Sequence, residues 1–379
     1  MFILGLYIGT LQNPSQAPAW FMQAIDSLEI TQGDGGDDGD YQQGFSLKLR
    51  ADRAKSTNTD YELLTNTLVN VGNRLIVTIT FDAFPRVLFD GIIGHRQLSG
   101  IGSSQIITLM GKDISILMDL EDKDVDYRGL GDKEIVDQIL GKYTSYGISP
   151  QVSTPIQTWT SAENERFAKQ RSTDRKYLQD LAHRHGSIFR IKPGKAPKQP
   201  IAYWGPLDYS DSPQKALTLN SGAATNAELS FSEDALAGIK VLGNVLPSGQ
   251  EKTTAINVQK NSQKESLAKK TELALSPTFV RTLRLVYSGS SLPEAQSIAQ
   301  AMVNRSVEQA LTVTGSLNVF RYGELLTAPG KVTVRGAGTN YDGEYYVRTV
   351  THLISRNQYQ QKFTLTREGV GTTIQKVKS

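Results

Sequence analysis

The chain contains no cysteine among its 379 residues. It therefore has no disulfide, no thiolate nucleophile and no cysteine ligand for a metal ion. This absence fits assembly in a reducing cytosol. The sequence also lacks an apolar run of the roughly 18 residues that a membrane-spanning helix needs, so no direct membrane insertion is expected.

Neither sign of charge dominates. The net charge of +3 is too small to indicate nucleic-acid binding by itself. The hydrophobic content of 39% and the charged content of 21% are typical of a globular protein. The length allows two or three domains with a substantial core.

The N-terminal segment MFILGLYIGTL is apolar, but no Lys or Arg precedes it, and Gln12 and Asn13 follow soon after. A β-strand is therefore favoured over a signal-peptide core. Further short strands separated by turn residues predict a small antiparallel barrel in residues 1–112. These strands are Phe45–Arg50, Arg74–Phe81, Val87–Gly94 and Ile106–Met110.

In Arg74–Phe81 the side chains alternate, but Ile76 interrupts the polar face, so that face is expected to be partly covered. The acidic segment Gly33–Tyr41 is a candidate calcium loop. Its spacing does not match an EF-hand, and the glutamate at position twelve is missing. A solvated hairpin loop is the favoured interpretation.

Residues 113–222 combine helical and strand patterns, which predicts a mixed α/β domain. Ile114, Leu117 and Met118 indicate a helical turn, and Asp132 is expected to cap a helix that ends near Gly141. In RSTDRKYLQDLAHRHG, Ser172 or Thr173 can cap a third helix, and Gly186 can end it. The apolar stripe of this helix consists of Tyr177, Leu178, Leu181 and Ala182.

Residues 223–379 return to strands. A Lys-rich segment around 249–285 is either an exposed insertion or a surface for an acidic partner, and its lack of interleaved aromatics disfavours nucleic acid. A helix with Pro293 at its first position follows. The chain then predicts three strands, Lys331–Arg335, Glu344–Leu353 and Gln358–Arg367.

The sequence offers no convincing catalytic, cofactor-binding or metal-binding residues. Gly336, Gly338 and Gly343 are similar to a dinucleotide-binding loop, but the third glycine of that motif would fall on Tyr341. These glycines are better interpreted as turns that need positive φ. We therefore expect no cofactor and no enzymatic activity.

The histidines and the acidic run also favour structural interpretations. Side chains two apart on a helix diverge by about 200°, so His183 and His185 cannot easily share a metal, and a solvated helix end is expected. His352 lies among apolar residues and is expected in the core or an interface. The acidic run, which is predicted to be a solvated loop, contains Glu121, Asp122, Asp124 and Asp126.

Four stretches resemble the phage late control protein D family of tail hubs, in the family's order. Three are VGNRLIVTITFDAFPRVLFDGII, MGKDISILMDLEDKDVDYRGLGDKEIVDQIL and RSTDRKYLQDLAHRHG, and the fourth is an Ala-rich helix followed by glycine turns and the T-H-x-I motif ending at Ile354. Thr173 stands where the family usually has Ser, and Tyr177 where it has Phe. The matching structural positions are Thr173, Asp174, Tyr177, Leu178, Leu181, Gly186, Pro329, Gly330, Gly336, Gly338, Gly343 and His352.

The resemblance implies an α+β, mainly β fold. Two tube-like antiparallel β-barrel domains, 1–112 and 223–379, would flank the inserted α/β domain 113–222. It also implies a structural baseplate hub of a contractile tail or injection system, similar to the hub half of the valine–glycine repeat spike proteins of type VI secretion. Such a hub is a homotrimer that adapts a hexameric tail tube to a trimeric spike.

The partners implied are the tail tube protein, a spike protein and other baseplate components, with the tape measure protein as a further candidate. No nucleic-acid specificity is implied. The particle would assemble in the bacterial cytoplasm, and the protein would belong to the baseplate of a phage tail or phage tail-like particle. Because the sequence stops at Ser379, about a dozen residues after the last strand, a separately encoded spike is expected.

Two alternatives remain open at this stage. One is another tail-tube-like ring component, such as a distal tail ring, against which the α/β insertion around Leu178 argues. The other is a carbohydrate-active β-protein, which would need a pair of carboxylates clustered in a cleft.

Overall fold

The computed structural model describes residues 2–35, 43–51, 62–81, 84–101, 104–153, 168–220, 222–247, 251–262, 266–271 and 279–372. Strands dominate, and most of their pairings are antiparallel. The strands of the N-terminal third are β1 (Phe2–Gly9), β2 (Pro14–Gln16), β3 (Ile25–Gly33), β4 (Gly44–Ala51), β5 (Arg74–Phe81), β6 (Phe84–Ile101) and β7 (Ser104–Asp113).

The middle of the chain contains shorter strands. They are β8 (Asp122–Tyr127), β9 (Ser149–Val152), β10 (Ala168–Thr173), β11 (Ile188–Lys192), β12 (Ile201–Gly205) and β13 (Gln214–Thr218). The C-terminal part contributes β14 (Ala227–Glu233), β15 (Ile239–Pro247), β16 (Thr254–Val258), β17 (Ala268–Thr271), β18 (Arg281–Ser290), β19 (Leu311–Asn318), β20 (Gly330–Arg335), β21 (Gly343–Ser355), β22 (Gln358–Arg367) and β23 (Gly369–Thr372).

Six α-helices connect or cover the described strands: α1 (Ala19–Ala24), α2 (Glu62–Thr65), α3 (Asp132–Gly141), α4 (Asp174–Arg184), α5 (Leu292–Glu308) and α6 (Val319–Tyr322). Short 3-10 helices lie at Thr67–Val69, Ile114–Met118, Thr144–Tyr146 and Gly222–Ala224. None of the helices in the described ranges has the length and apolarity required to cross a bilayer.

One 13-stranded sheet joins both ends of the chain. Its main path runs β14-β19-β22-β21-β3-β4-β7-β6-β5-β1-β2, with β20 on β21 and β13 on β20. The junction between the two halves is the antiparallel pair β3–β21, where Ser27 to Gly33 oppose Ser355 to Thr349. Among the described strands, β14, β2 and β13 each pair with a single neighbour, so the sheet is open and the division into two barrels stays a prediction.

The largest hydrophobic core lies on one face of this sheet and draws on both halves of the chain. Leu28 and Leu47 from the N-terminal part pack in the same cluster as Val313, Val350 and Phe363. The predicted strand Arg74–Phe81 is confirmed as β5. Its second face is covered as expected, because Arg74 and Ile76 are buried.

A second core forms around α3, α4 and the strands β11 and β12. Trp204 is fully buried there, and its indole N–H donates to the carbonyl oxygen of Leu178 at 3.1 Å. The prediction that Asp132 caps α3 is wrong, since Gly131 is the N-cap and Asp132 begins the helix. Asp132 instead accepts from residues at the far end of α4, which ties the two helices together.

A third core forms where α5 packs on the three-stranded sheet β16-β15-β18. The Lys-rich segment therefore contains ordered strands, β16 and β17, as well as exposed lysines. Pro293 is the second residue of α5, because the helix begins at Leu292 after the Ser291 cap. The predicted solvated loop around Asp122–Asp126 is instead strand β8, paired with β10.

Candidate functional site

The N-terminus of α4 holds the first group of predicted family positions. Thr173 is the N-cap, because its hydroxyl accepts from the backbone N–H of Lys176. Asp174 is fully buried and accepts hydrogen bonds from Lys123 at 2.6 Å, Gln170 at 2.8 Å and Tyr143 at 2.9 Å. Burial alone would raise the pKa of Asp174, but these three donors outweigh it, so the pKa lies below its ordinary value.

The apolar positions of α4 face the second core. Tyr177 stacks on Tyr127 with ring centroids 5.9 Å apart, and Leu178 and Leu181 are fully buried. Gly186 follows the helix with a φ of 61°, a left-handed conformation that suits glycine. These residues build the interior of the α/β region, and their status as family positions stays a prediction.

The expectation of solvated histidines at the end of α4 is wrong for His185. Its side chain is only 2% exposed, and its Nε2 lies 2.8 Å from Asp132 Oδ2. Arg184 contacts the same carboxylate at 3.4 Å. No sequence pattern predicts the contact between His185 and Asp132, because the two residues are 53 positions apart.

The glycine segment is a turn between β20 and β21, as predicted. Gly336 and Gly338 have φ values of 86° and 91°, and Gly343 has 136°. Pro329 follows a cis peptide bond, and Gly330 begins β20. Arg367 stabilises this turn, and the sequence patterns did not predict that role.

Arg367 is buried on β22, with 1% of its surface exposed. Its guanidinium donates to the carbonyl oxygens of Asn340 at 2.7 Å, Asp342 at 3.2 Å and Gly369 at 2.8 Å. It also lies 4.4 Å from the ring centroid of Tyr345. The turn therefore closes around an arginine and does not present a phosphate-binding loop.

His352 lies in the core, which is one of the two locations that the sequence predicts. Its Nε2 is 3.1 Å from Gln32 Oε1, and its Nδ1 is 2.8 Å from the Tyr359 hydroxyl. Gln32 is oriented by its own donation to the carbonyl oxygen of Leu88, so Oε1 is an acceptor and Nε2 carries the proton. Burial lowers the pKa of His352 to about 3, which keeps the ring neutral.

A buried ionic cluster joins the sheet to α5. Arg348 Nε lies 2.8 Å from Asp34 Oδ2, and Arg348 Nη2 lies 3.1 Å from Glu308 Oε2. Burial raises the pKa of Glu308 although the nearby Arg348 opposes this shift. Asp34 was expected in a solvated loop and is fully buried, whereas Asp37, Asp38 and Asp40 lie outside the described residues.

A substrate cannot reach the polar groups at the centre of these clusters, because Asp34, Asp174 and His352 are fully buried. Within the described residues, no three His, Asp or Glu side chains converge on a position that could hold a metal ion. Accessible features of the described residues include the edges of the large sheet and part of its polar face.

Both ends of the sheet path present strand edges. Strand β14 pairs with β19 and with no other described strand. At the other end, β1 pairs with β2 only from Tyr7 to Gly9, so Phe2–Gly5 has no described strand on that side. Ile3 on this edge is 59% exposed. Such edges can pair with another strand because their N–H and C=O groups point outward.

The face of the sheet opposite the largest core carries a polar residue on each of eight adjacent strands, from β14 to β6. We name it the hydroxyl face and define it by one residue per strand: Ser230, Thr314, Thr364, Thr351, Thr31, Ser46, Thr108 and Gln97. Except at Gln97, whose neighbour Leu98 is exposed, at least one strand neighbour of each residue lies in or packs against the largest core. Sequence reasoning did not find this face, because its continuity depends on the pairing of both halves of the chain.

The fold is similar to that of solved tail proteins. A tail protein from Neisseria meningitidis MC58 has a TM-score of 0.64 at 14% identity, with 98% of each chain covered. The 43 kDa tail protein of prophage MuSo2 from Shewanella oneidensis has a TM-score of 0.64 at 13% identity, covering 97% of this chain and 99% of that one.

The Escherichia coli c3393 protein, described as a component of the type VI secretion system, has a TM-score of 0.55 at 12% identity, covering 90% of this chain and 73% of that one. These likenesses establish the fold. Among curated protein sequences no match is found. The family model of the Alg8 N-terminal domain matches residues 50–356, which is most of the chain.

Proposed function

The chain belongs to the Alg8 N-terminal domain family, and from its tail-protein fold we propose that it is a structural baseplate hub of a contractile tail or injection system. In this role three copies form a ring that adapts a hexameric tail tube to a trimeric spike. The partners are the tail tube protein, the spike and other baseplate components. The role is structural and not catalytic.

The observation that carries the proposal is the open 13-stranded sheet, in which the described strands β14, β2 and β13 each pair with a single neighbour. A heterologous contact between one end and the other end of the next copy generates a ring when the rotation closes. Both halves of the chain contribute to the sheet, so three copies can present six similar segments to a hexameric tube. Large matched surfaces of this kind give affinity by shape and multivalency without a pocket.

Light scattering on the purified full chain, followed by cryo-microscopy, tests the proposal. The expected result is a homotrimer with threefold symmetry. A ring of six copies would instead favour the alternative of a tail-tube-like ring component, and a stable monomer at high concentration would contradict both.

Proline substitutions in β14 test whether its edge closes the ring. Consecutive residues of an edge strand direct their N–H groups to opposite sides. One of the two substitutions Leu229→Pro and Ser230→Pro therefore removes an N–H that points outward, and β14 stays paired with β19. The other removes an N–H that points toward β19. The variant that lacks the outward N–H is expected to fold as a monomer by circular dichroism, and the other is expected to lose stability. If both variants still form trimers, this edge is not the interface.

A further inference from the structure

We propose that the open face of the three-stranded sheet β16-β15-β18 docks an amphipathic α-helix of a partner protein, whose apolar stripe is flanked by acidic residues. We name this surface the third-sheet face. Its side chains alternate along the strands with those that pack under α5. Strand pairing places nine residues on it: Lys240, Leu242, Asn244, Leu246, Ala255, Asn257, Thr282, Arg284 and Val286.

The first argument is the direction of the strands. β15 and β18 are parallel, with Ile239 opposite Arg281 and Val241 opposite Leu283. Parallel strands are nearly always covered on both faces, because helices pack on each side of them. Here α5 covers one face, where its Val303 is fully buried in the third core. On the other face, seven of the nine residues are exposed, so the described residues do not supply the second layer.

The second argument is an apolar patch on this face. Val286 is 84% exposed and lies opposite Asn244. Leu242 and Leu246 stand on the same face of β15, two positions to either side of Asn244, and Leu246 is 37% exposed. The three apolar side chains thus surround one position and span about 13 Å. A grouped patch of this kind marks an interaction surface, whereas a single exposed apolar residue does not.

The third argument is size. The outer strands of a three-stranded sheet lie about 10 Å apart, which is about the diameter of one α-helix. From Lys240 to Leu246 the face is about 20 Å long, which a helix of about 13 residues spans. A single helix therefore covers the third-sheet face. A partner strand would instead pair with β16 or β18 at an edge and leave the apolar patch in water.

The fourth argument is charge. Lys240 and Arg284 lie on the third-sheet face, and none of its nine residues is acidic. Residues 239–286 contain eight Lys or Arg and three Glu, whereas the whole chain has a net charge of +3. The remainder of the chain is therefore net negative, and the excess of positive charge is concentrated around this sheet. Acidic residues beside the apolar stripe of the partner helix would complement it.

The residue types favour a protein partner over a lipid surface or a nucleic acid. Proteins that lie on membranes insert Trp, Phe or Leu from a strongly basic face, and single-stranded nucleic acids stack on aromatic rings. The third-sheet face has two cations and no aromatic residue. Its flat apolar patch suits the side chains of a packed helix.

Fluorescence anisotropy with labelled peptides tests the class of partner. The probes are two helical peptides of about 14 residues that share one leucine stripe, flanked by glutamates in the first and by lysines in the second. The glutamate peptide is expected to bind the full chain about tenfold more tightly, and added salt should weaken its binding. Equal binding of the two peptides would overturn the proposed charge complementarity.

Two substitutions test the location. Val286→Asp places a carboxylate in the apolar patch, and Arg284→Glu inverts a charge that faces the peptide. Each is expected to weaken binding of the glutamate peptide about tenfold. The matched controls are Val71→Asp, at a valine that is 56% exposed elsewhere, and Lys195→Glu, at an exposed lysine. Both controls are expected to bind as wild type does, and wild-type affinity in folded Val286→Asp would overturn the proposal.

Thiol labelling tests whether the face is open in the free protein. Because the chain has no cysteine, Val286→Cys introduces a single thiol. A maleimide is expected to label it rapidly, and bound glutamate peptide should slow the reaction several-fold. Labelling of Gln138→Cys, at an exposed position of α3, should not change. Slow labelling of Val286→Cys without peptide would show that this chain or a second copy already covers the face, which would overturn the proposal.

Sedimentation with vesicles of phosphatidylcholine and phosphatidylglycerol tests the lipid alternative. Wild type is expected to stay in solution, and sedimentation that Val286→Asp abolishes would overturn the proposed protein partner. Val286→Asp is also expected to leave the oligomeric state measured by light scattering unchanged, because all three strands belong to one chain. The docking inference and the hub proposal therefore fail in different measurements.

Discussion

Asp34 and Arg348 form a buried ion pair in which the carboxylate oxygen lies 2.8 Å from the guanidinium Nε. Asp34 follows β3 near the start of the chain, and Arg348 lies on β21 near its end. The same guanidinium contacts Glu308 at the end of α5, at 3.1 Å. One arginine therefore connects the two halves of the large sheet to the helix of the third core.

Arg348→Met is expected to lower the free energy of unfolding by about 3–5 kcal/mol, because it removes the guanidinium that contacts two buried carboxylates. Urea denaturation at neutral pH measures the effect. Arg50→Met is the matched control, since its ion pair with Asp26 is solvent-exposed and should contribute less than about 1 kcal/mol. Equal losses in the two variants would show that Arg348 does not have this role.

Asp174→Asn is expected to destabilise the α/β region by about 2 kcal/mol at neutral pH, because three donors lose a charged acceptor. The pKa of Asp174 is lowered in the folded protein, so its contribution is present above the ordinary carboxyl range and is lost as pH falls through the lowered value. Urea denaturation near neutral pH and at acidic pH should therefore show the difference between wild type and variant shrinking in acid.

The control is Asp180→Asn, which removes only an exposed pair with Lys176. It should change stability by less than about 0.5 kcal/mol at either pH. If the stability difference between wild type and Asp174→Asn is the same at acidic and neutral pH, the proposed charge dependence is contradicted.

Local features of the fold could be predicted from the sequence. The alternation in β5, the Thr173 cap and the positive φ of Gly336 and Gly338 each depend on neighbouring residues. The presence of both helices and strands in the middle region followed from hydrophobic periods of about two and 3.6 residues.

Long-range pairs could not be predicted in this way. The hydroxyls of Thr31 and Thr351 meet although 320 positions separate them, and no local pattern indicates which strands become neighbours. The roles of Arg348 and Arg367 were missed for the same reason. Both are single arginines in strands, and their partners come from other segments.

Alanine substitutions at Gly336 and Gly338 distinguish the stability cost of backbone strain from that of steric overlap. Gly338→Ala is expected to cost about 1 kcal/mol, since its φ is positive but no atom lies near an added Cβ. Gly336→Ala is expected to cost about 3 kcal/mol or more, because an added Cβ would also overlap the carbonyl oxygen of Leu219. Thermal unfolding ranks the two variants.

Gly94→Ala is the control for this pair, because that position has open space and no unusual φ. It is expected to change stability by less than about 0.5 kcal/mol. Equal losses for Gly336→Ala and Gly338→Ala would show that the turn shifts away from Leu219 without penalty.

The buried histidine gives the sheet a defined acid sensitivity. Because burial lowers the pKa of His352 to about 3, the folded protein binds its proton less readily than the unfolded chain, whose pKa is about 6.5. Stability from the neutral ring is therefore complete above about pH 6.5 and is lost progressively down to about pH 3. Between about pH 8 and pH 5, wild type should lose about 2 kcal/mol that His352→Gln does not lose.

Urea unfolding at both pH values measures this difference, with the exposed His95→Gln as the matched control. Acid should narrow the stability gap between wild type and His352→Gln, while the gap to His95→Gln should stay constant. The physical reason is burial, because the charged ring would lose its hydration in the core. If the free energies of unfolding of wild type and His352→Gln change equally with pH, the core accommodates the charged ring.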